Sequence, residues 1–458
     1  MIFSSRKIFL TLAAILTLDC LSGCIHSAYK APKVSMPKQW QEQTTTGTNI
    51  AKNENWWKRF NDLLLNSLID RALRTNNDLA AATIKVRRAQ LQSSLANLNL
   101  IPTATASVSS TGFNRDFKYE LNSQSHSVAG ELSYEIDLWG KLSSARSAAR
   151  FEAEATEADR QSTALSLIDT VASLYWQVAY LNQCIALSKD SIDYSKKVLA
   201  LVQVRYHAGE VSHFELIKAK QNVVTQEVSL SKLLQQRVEA RNALAILFNQ
   251  APENGVPERK TLLMNKLPAI AAGMPASVLR RRPDLHAAEL RLRACLANVD
   301  ETRASFYPAL TLTGSASSNS STGLLNILQH PTAALGVGLS LPFIQWNTTK
   351  LSIKVSETKY AEAVVNFRQN LYKALGEVEN ALSANTKDQT EELYLEHILV
   401  LARKAEQLTE VKYRVGEVDV QSWLDAQESA RAAQINALTH RLNRLKHLMA
   451  LYKSLGGG

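Results

Sequence analysis

From Lys141 to Ala208 the chain contains neither Gly nor Pro, the two residues that most readily end regular structure. Each helical residue adds about 1.5 Å, so an unbroken helix over that stretch is a rod of about 100 Å, against a usual helix of about 8–20 residues. No compact domain holds such a rod. The second half supplies another from Phe343 to Val415, interrupted only by Gly376. Each rod ends in a short polar turn, Tyr206-His207-Ala208-Gly209-Glu210-Val211-Ser212 and Tyr413-Arg414-Val415-Gly416-Glu417-Val418, after which a helix returns as far as Asn249 or Lys453. The spacing predicts two long helical hairpins. Ala, Ser, Asn, Gln and charged residues lie all round these helices, with no clean Leu seam, as in a helix that has a neighbour on two sides and water on the others. A plain coiled-coil spacer is the simpler account of the same stretches.

Composition agrees with long elements. Gly 17 and Pro 11 among 458 residues make about 6% of the chain, roughly half the average usage. With 45% hydrophobic and 21% charged residues and four Cys, the chain is neither disordered, nor collagen-like, nor a disulfide-stapled scaffold. The net charge of +10 is interleaved with acidic residues along the chain and forms no basic patch. It reads as solvated helix faces, and nucleic acid is not an expected partner.

The chain repeats one plan. Asn77-Asp78-Leu79 opens a helical stretch that closes at Ile101-Pro102, and Pro283-Asp284-Leu285 opens one that closes at Tyr307-Pro308, 206 residues later. Leu132-Ser133 and Trp139 answer Leu339-Ser340 and Trp346. Tyr206, Gly209-Glu210-Val211 and Ala219 answer Tyr413, Gly416-Glu417-Val418 and Ala426, each 207 residues on. A period this long marks a duplicated half-molecule, not a solenoid of small units.

Within each half the apolar period changes. Residues 68–100 carry apolar residues at helical spacing and are rich in Ala. Thr103–Val108 then alternates, a polar loop follows, and residues 128–138 alternate strictly. Gly130, Leu132, Tyr134, Ile136 and Leu138 share one face; Glu131, Ser133, Glu135 and Asp137 share the other. The second half repeats this with Leu310-Thr311-Leu312-Thr313 and with Leu335, Val337, Leu339 and Leu341 set against Gly336, Gly338 and Ser340. A half-buried sheet in a soluble protein shows such alternation too. Strands of about ten residues, however, have the length needed to cross the hydrocarbon core of a membrane as part of a barrel. Four strands cannot close one. An open edge in lipid strands its backbone groups, so two, three or four chains must combine into eight, twelve or sixteen strands.

The amino terminus reads as a processing signal over residues 1–23. Arg6 and Lys7 precede an apolar run from Ile8 to Leu18, too short to span a bilayer. Leu21-Ser22-Gly23-Cys24 resembles a bacterial lipobox, in which the Cys24 thiol takes a diacylglycerol and the new amino terminus is acylated. Several acyl chains give stable anchoring where one does not. Ile25 stands where an Asp would hold such a lipoprotein at the inner membrane. The mature chain keeps Cys24, Cys184 and Cys295, without disulfide or metal-type spacing.

These residues carry a resemblance covering almost the whole chain. Leu279-Arg280-Arg281-Arg282-Pro283-Asp284-Leu285, Ala288-Glu289 and Phe306-Tyr307-Pro308-Ala309-Leu310 are similar to the strongest signature of the TolC superfamily of outer-membrane efflux proteins, in its OprM/CusC/NodT-like lipoprotein branch. Trp56-Trp57-Lys58-Arg59-Phe60-Asn61-Asp62, Asp137-Leu138-Trp139-Gly140-Lys141, Leu424-Asp425-Ala426-Gln427 and Leu455-Gly456-Gly457-Gly458 support it. At Pro342-Phe343-Ile344-Gln345-Trp346-Asn347 the chain lacks the Gly and Arg usual at the family's second strand-to-helix corner.

The resemblance implies a mostly α fold with a transmembrane β-barrel: a homotrimer whose twelve-stranded barrel continues into a twelve-helix periplasmic tunnel. Its divisions would be a lipidated segment and belt at 24–66, a first repeat at 67–249, a linker at 250–275 and a second repeat at 276–458. The tips at Arg205, Tyr206, Gly209, Glu210, Val211 and Ser212 and at Tyr413, Gly416, Glu417 and Val418 would meet a periplasmic adaptor and an inner-membrane pump of the RND type. Asp425 matches a family gate-ring position, and Gln421 lies one turn earlier on the same face. Three carboxylates round a narrow axis would favour cations and repel one another on closing. Outside the gate, Asp425 would be a solvated residue or a partner for Arg431 or Arg414.

The expected function is a passive outer-membrane exit duct of a tripartite efflux system. The alternatives are the outer-membrane channel of a type I protein secretion system and a non-channel, lipid-anchored helical spacer or adaptor. No Gly-rich phosphate loop, His-Glu-x-x-His or Gly-x-Ser-x-Gly motif occurs, and the nine His show no ligand spacing. Catalysis, a metal or a cofactor beyond the lipid on Cys24 is not expected. His207 and His213, beside the first tip, read as solvated side chains.

Overall fold

The computed structural model describes residues 27–42, 48–49, 55–113, 123–252, 255–264, 267–268, 270–271, 275, 281–321 and 331–457. The signal segment and Cys24 lie outside the described residues. The helices are α1 (Leu63–Thr75), α2 (Asn77–Leu98), α3 (Lys141–His207), α4 (His213–Leu247), α5 (Pro283–Ala304), α6 (Trp346–Arg414) and α7 (Val420–Ser454); the long strands are β1 (Thr103–Phe113), β2 (Ser123–Ile136), β3 (Ala309–Ser320) and β4 (Pro331–Ser340). The rods run 67 and 69 residues without a break. Gly376 does not interrupt the second, because one Gly costs a helix only about 1 kcal/mol among many stabilising contacts. Among the described residues no helix is long and apolar enough to cross a membrane.

The helix expected over residues 68–100 is two helices. Asn76 stands between them with ψ 130. Its side-chain amide donates to the Leu247 carbonyl at 3.0 Å, and its Oδ1 accepts from the Leu79 amide at 3.0 Å. It thereby caps α2 while tying it to the end of α4. The strands also run further than alternation indicated. β1 continues through Ser109, Ser110 and Thr111, and β2 begins at Ser123, so part of the expected polar loop is ladder. Hydroxyl pairs such as Ser109 Oγ with Ser127 Oγ, 2.7 Å apart, explain why polar residues keep pairing.

The four strands form one antiparallel sheet in the order β1-β2-β3-β4. Its register sorts the residues by face. Leu132 pairs with Ala104 and Gly314, Tyr134 with Leu312, Ile136 with Leu310, and Leu310 with Leu339. On the opposite face Glu131 pairs with Thr105 and Ser315, and Ser133 with Thr103 and Thr313. The apolar face is exposed at Val108, Leu132, Leu312, Leu335, Val337 and Leu339. Among the described residues, β1 and β4 form the two free edges of the sheet.

The chain divides into two compact units. One holds residues up to 34, 84–158 and 287–370; the other holds 35–83, 159–286 and 371–457 of the described chain. In the first, the two strand-to-helix corners differ. At the first, Asp137 accepts from the amides of Leu142 and Ser143 at 2.9 and 2.8 Å, and Gly140 has φ 76. At the second, a 3-10 turn over Pro342–Ile344 leads through Gln345, with φ −85 and ψ 55, into α6. A tight turn there replaces the missing Gly and Arg. Trp139 donates from Nε1 to the Pro308 carbonyl at 2.8 Å and packs 4.9 Å from the Tyr307 ring, joining the ends of the two halves' strands.

In the second unit, segments far apart in the chain share one core. Trp56 stacks on Tyr452 at 4.7 Å, and Phe60 packs on Trp176 at 5.1 Å. Trp40, Val256, Leu262, Leu263, Leu448 and Leu455 are buried in the same cluster. Asp62 caps α1 by accepting from Leu64 and Leu65 amides, and also takes the Tyr175 hydroxyl at 3.0 Å and the Arg259 guanidinium at 2.7 Å. The signature Arg282-Pro283-Asp284 has a structural job. Arg282 grips Asp284 at 2.8 Å, Glu377 at 2.7 Å and the Ser454 carbonyl at 3.3 Å, while Pro283 opens α5, where the lost amide costs nothing.

Candidate docking tip and gate

The two hairpin tips meet around a buried aromatic wedge. Tyr413 stacks on Trp423 at 5.0 Å and Tyr194 meets the same indole edge-on at 6.0 Å. Val198, Val202, Leu216, Ala219, Val420 and Leu424 complete the cluster. Gly209 and Gly416 turn the chain with φ 75 and φ 83, a conformation that a Cβ disfavours. Each return helix then starts on a cap at the equivalent position: Ser212 accepts from the Glu215 amide at 3.3 Å, and Asp419 from the Ser422 amide at 2.9 Å.

Arg205 joins the two tips. Its Nη1 and Nη2 donate to the carbonyls of Tyr413 and Arg414 at 3.3 and 3.1 Å, and its guanidinium sits 4.8 Å over the Tyr413 ring. Glu210 lies 3.8 Å from it. The carbonyls at a helix end carry partial negative charge, so a guanidinium there is doubly favoured. Lys412 donates to Glu417 at 2.8 Å and Arg414 to Glu410 at 2.6 Å.

The structure therefore separates the expected docking residues. Gly209, Glu210, Ser212, Gly416 and Glu417 are exposed; Arg205, Tyr206, Val211 and Val418 are half-buried. Tyr413 is only 2% exposed. The expectation that its side chain presents a docking surface is corrected, because Trp423 and Arg205 sandwich the ring inside the tip. Tyr206 packs beside His207 and His213, with ring centres 5.8 and 5.5 Å away. Trp423, the centre of the wedge, answers Leu216 of the first half 207 residues earlier, and both are buried in this cluster, so the duplication marks an apolar position but not the indole.

Asp425 is exposed on α7 and accepts from Gln421 Nε2 at 2.7 Å. The pairing of Asp425 with Arg431 or Arg414 does not form: Arg431 grips Glu428 and Arg414 grips Glu410. Higher on the same hairpins a polar groove of about 380 Å³ is lined in part by Tyr194, Arg403, Glu406 and Glu410. Burial, with Glu410 alongside, pushes Tyr194 up to about 12 and raises the Glu406 carboxyl above its ordinary value.

The profile of the outer membrane efflux protein family matches residues 68–250 and 274–457. The "Toxin and drug export protein A" of Aggregatibacter actinomycetemcomitans is 32% identical over 460 residues, covering 99% of this chain and 98% of that protein. The pyoverdine export outer membrane protein OpmQ of Pseudomonas putida is 32% identical over 437 residues, covering 93% and 92%. The open-state structure of the Neisseria gonorrhoeae MtrE outer membrane channel superposes with a TM-score of 0.83 at 28% identity, covering 94% of this chain and 98% of that one. These channels set aside the non-channel spacer. Matched along both halves of its duplicated plan, the chain belongs to the outer membrane efflux protein family and is an outer-membrane exit channel for efflux.

Proposed function

We propose that the chain works as a homotrimer, anchored through a lipid on Cys24, that passively conducts solutes delivered by an inner-membrane pump of the RND type through a periplasmic adaptor at the hairpin tips. The observation that calls for an oligomer is the sheet, and the likeness to the outer-membrane efflux channels supports three chains. Four strands of 10–14 residues with an exposed apolar face leave the outer edges of β1 and β4 without a partner strand among the described residues. In lipid those backbone groups have no partner but another strand, and β4 of one chain against β1 of the next closes the ring. Three chains give twelve strands, wide enough for an aqueous lumen.

Exposed Glu210, Ser212 and Glu417 then offer the adaptor acidic and hydroxyl contacts round a rigid aromatic wedge. Asp425 and Gln421 narrow the tunnel as a ring. Relatives are named for pyoverdine, toluene and antibiotic export, a diversity that supports a duct whose cargo is selected by its pump. The test is the oligomer. A heat-resistant trimer in outer-membrane fractions, labelled by radioactive palmitate unless Cys24 is replaced by Ser, is the expected result. A monomer soluble without detergent overturns the proposal.

A further inference from the structure

In the second unit, α6 and α7 bring three donor groups together. Asp388 and Glu391 lie on α6 and His440 lies on α7, 52 residues from Asp388, so no spacing in the sequence betrays them. One ligand atom from each lies within 4.8 Å of the other two. Four-coordinate zinc, with bonds of about 2.0–2.2 Å, holds its donor atoms about 3.4 Å apart, a span reached here by small side-chain adjustments.

The imidazole is oriented for a ligand. His440 is 7% exposed, and its Nε2 lies 2.9 Å from the main-chain carbonyl oxygen of Asp388. A carbonyl only accepts, so Nε2 carries a proton, and Nδ1 is the ring nitrogen left to offer a lone pair to a ligand. That atom faces Glu391 Oε1 at 3.7 Å, beyond hydrogen-bond reach. A ring whose second nitrogen is tied to a backbone carbonyl is the usual setting of a metal-binding His. Asp388 is 6% exposed, and the His447 ring nitrogen Nδ1 lies 2.8 Å from its Oδ2. Of the neighbouring cations, Arg441 donates to Glu392 at 3.1 Å and to the Leu263 carbonyl at 3.0 Å, while Arg444 grips Glu392 and its charge also acts on Asp388.

We propose that Asp388, Glu391 and His440 bind a divalent transition ion of the zinc class, with solvent completing the coordination and His447 orienting Asp388. One imidazole and two carboxylates suit such an ion and not the softer thiolate-seeking metals. The ion ties the two helices of the second hairpin together well away from its tip.

The test uses the full-length, detergent-purified protein without a polyhistidine tag, stripped with chelator and titrated with Zn²⁺ alone. One zinc per chain is expected, with a rise in the thermal midpoint and, on Co²⁺ substitution, visible absorption of a low-coordinate nitrogen-ligated site. Glu391→Gln, at an exposed position, is expected to weaken Zn²⁺ by at least about 10-fold, and His447→Ala by about 10-fold through loss of the orienting contact. His440→Asn keeps a donor for the Asp388 carbonyl and is expected to abolish stoichiometric binding while retaining the trimer. Absence of zinc binding by the wild type, or equal binding by wild type, Glu391→Gln and His440→Asn, overturns the proposal.

Discussion

Arg205 and Tyr413 lock the two hairpin tips: the guanidinium lies 4.8 Å from the ring centre while Nη1 donates to the tyrosine's own carbonyl at 3.3 Å. One cation thus meets both the face of the ring and the partly negative end of α6. The contact joins residues 208 apart in the chain, from the two copies of the duplicated plan. Any separation of the tips must break it.

Arg205→Ala is expected to loosen the tips without unfolding the hairpins. Cation–π and helix-end contributions at a half-exposed site amount together to about 1–2 kcal/mol. Hydrogen exchange of residues 199–213 and 412–424 should speed up while the global thermal midpoint moves by only a few degrees. Arg205→Lys, which keeps charge but loses the fork that spans two carbonyls, should fall between. Unchanged exchange in the alanine variant would remove the lock from the account.

For the proposed gate, Asp425→Ala is expected to increase single-channel conductance in planar bilayers, and Gln421→Ala to do so less, because glutamine supports Asp425 by its 2.7 Å hydrogen bond. Conductance equal to wild type in both variants places the constriction elsewhere.

Substitutions on alternate residues of β4 should diverge. Leu335 shares the apolar face with Leu132's row through Gly314, whereas Ala334 lies on the face of Glu131 and Ser315. Leu335→Asp is expected to abolish the heat-resistant trimer in membranes, and Ala334→Asp to preserve it. Equal loss in both would mean that the face assignment is wrong.

Acid should weaken the Arg282 junction. Burial alone would raise Asp284, but the hydrogen bond and charge of Arg282 prevail and hold it below its ordinary 3.8. A carboxyl depressed in the folded state stabilises the fold above its unfolded value, and that stability is lost as the pH falls through it. Between pH 5 and pH 3 the wild-type thermal midpoint should therefore fall further than that of Asp284→Asn. Glu406 has the opposite sign: burial first, then Glu410, raises it, so its ionisation opposes folding at neutral pH. Glu406→Gln is expected to raise the midpoint slightly at pH 7 and to have no such effect near pH 4.

Gly456→Ala should be more harmful than its terminal position suggests. With φ 92 and backbone atoms of Arg281 only 2.8 Å from where a Cβ would stand, the substitution meets main chain that cannot rotate away. A loss of several degrees in the thermal midpoint is expected, and a neutral result would mean that the carboxyl end does not dock there in solution.

The repeat, the rods and the strand faces are written in local patterns along the chain. Periodicity and the absence of Gly and Pro act locally, so the helix from Lys141 and the alternation around Leu132 were legible one residue after another. The turns at Gly209 and Gly416 were legible for the same reason. Other features depend on residues distant in the chain and emerge only once it is folded. The break at Asn76 answers to a carbonyl at Leu247. Tyr413 looked like tip surface until Trp423 and Arg205 covered its ring. His440 became a candidate ligand only when the Asp388 carbonyl chose its tautomer. Each of these is a contact across tens to hundreds of residues, and patterns of spacing along a chain carry no information about which distant group arrives.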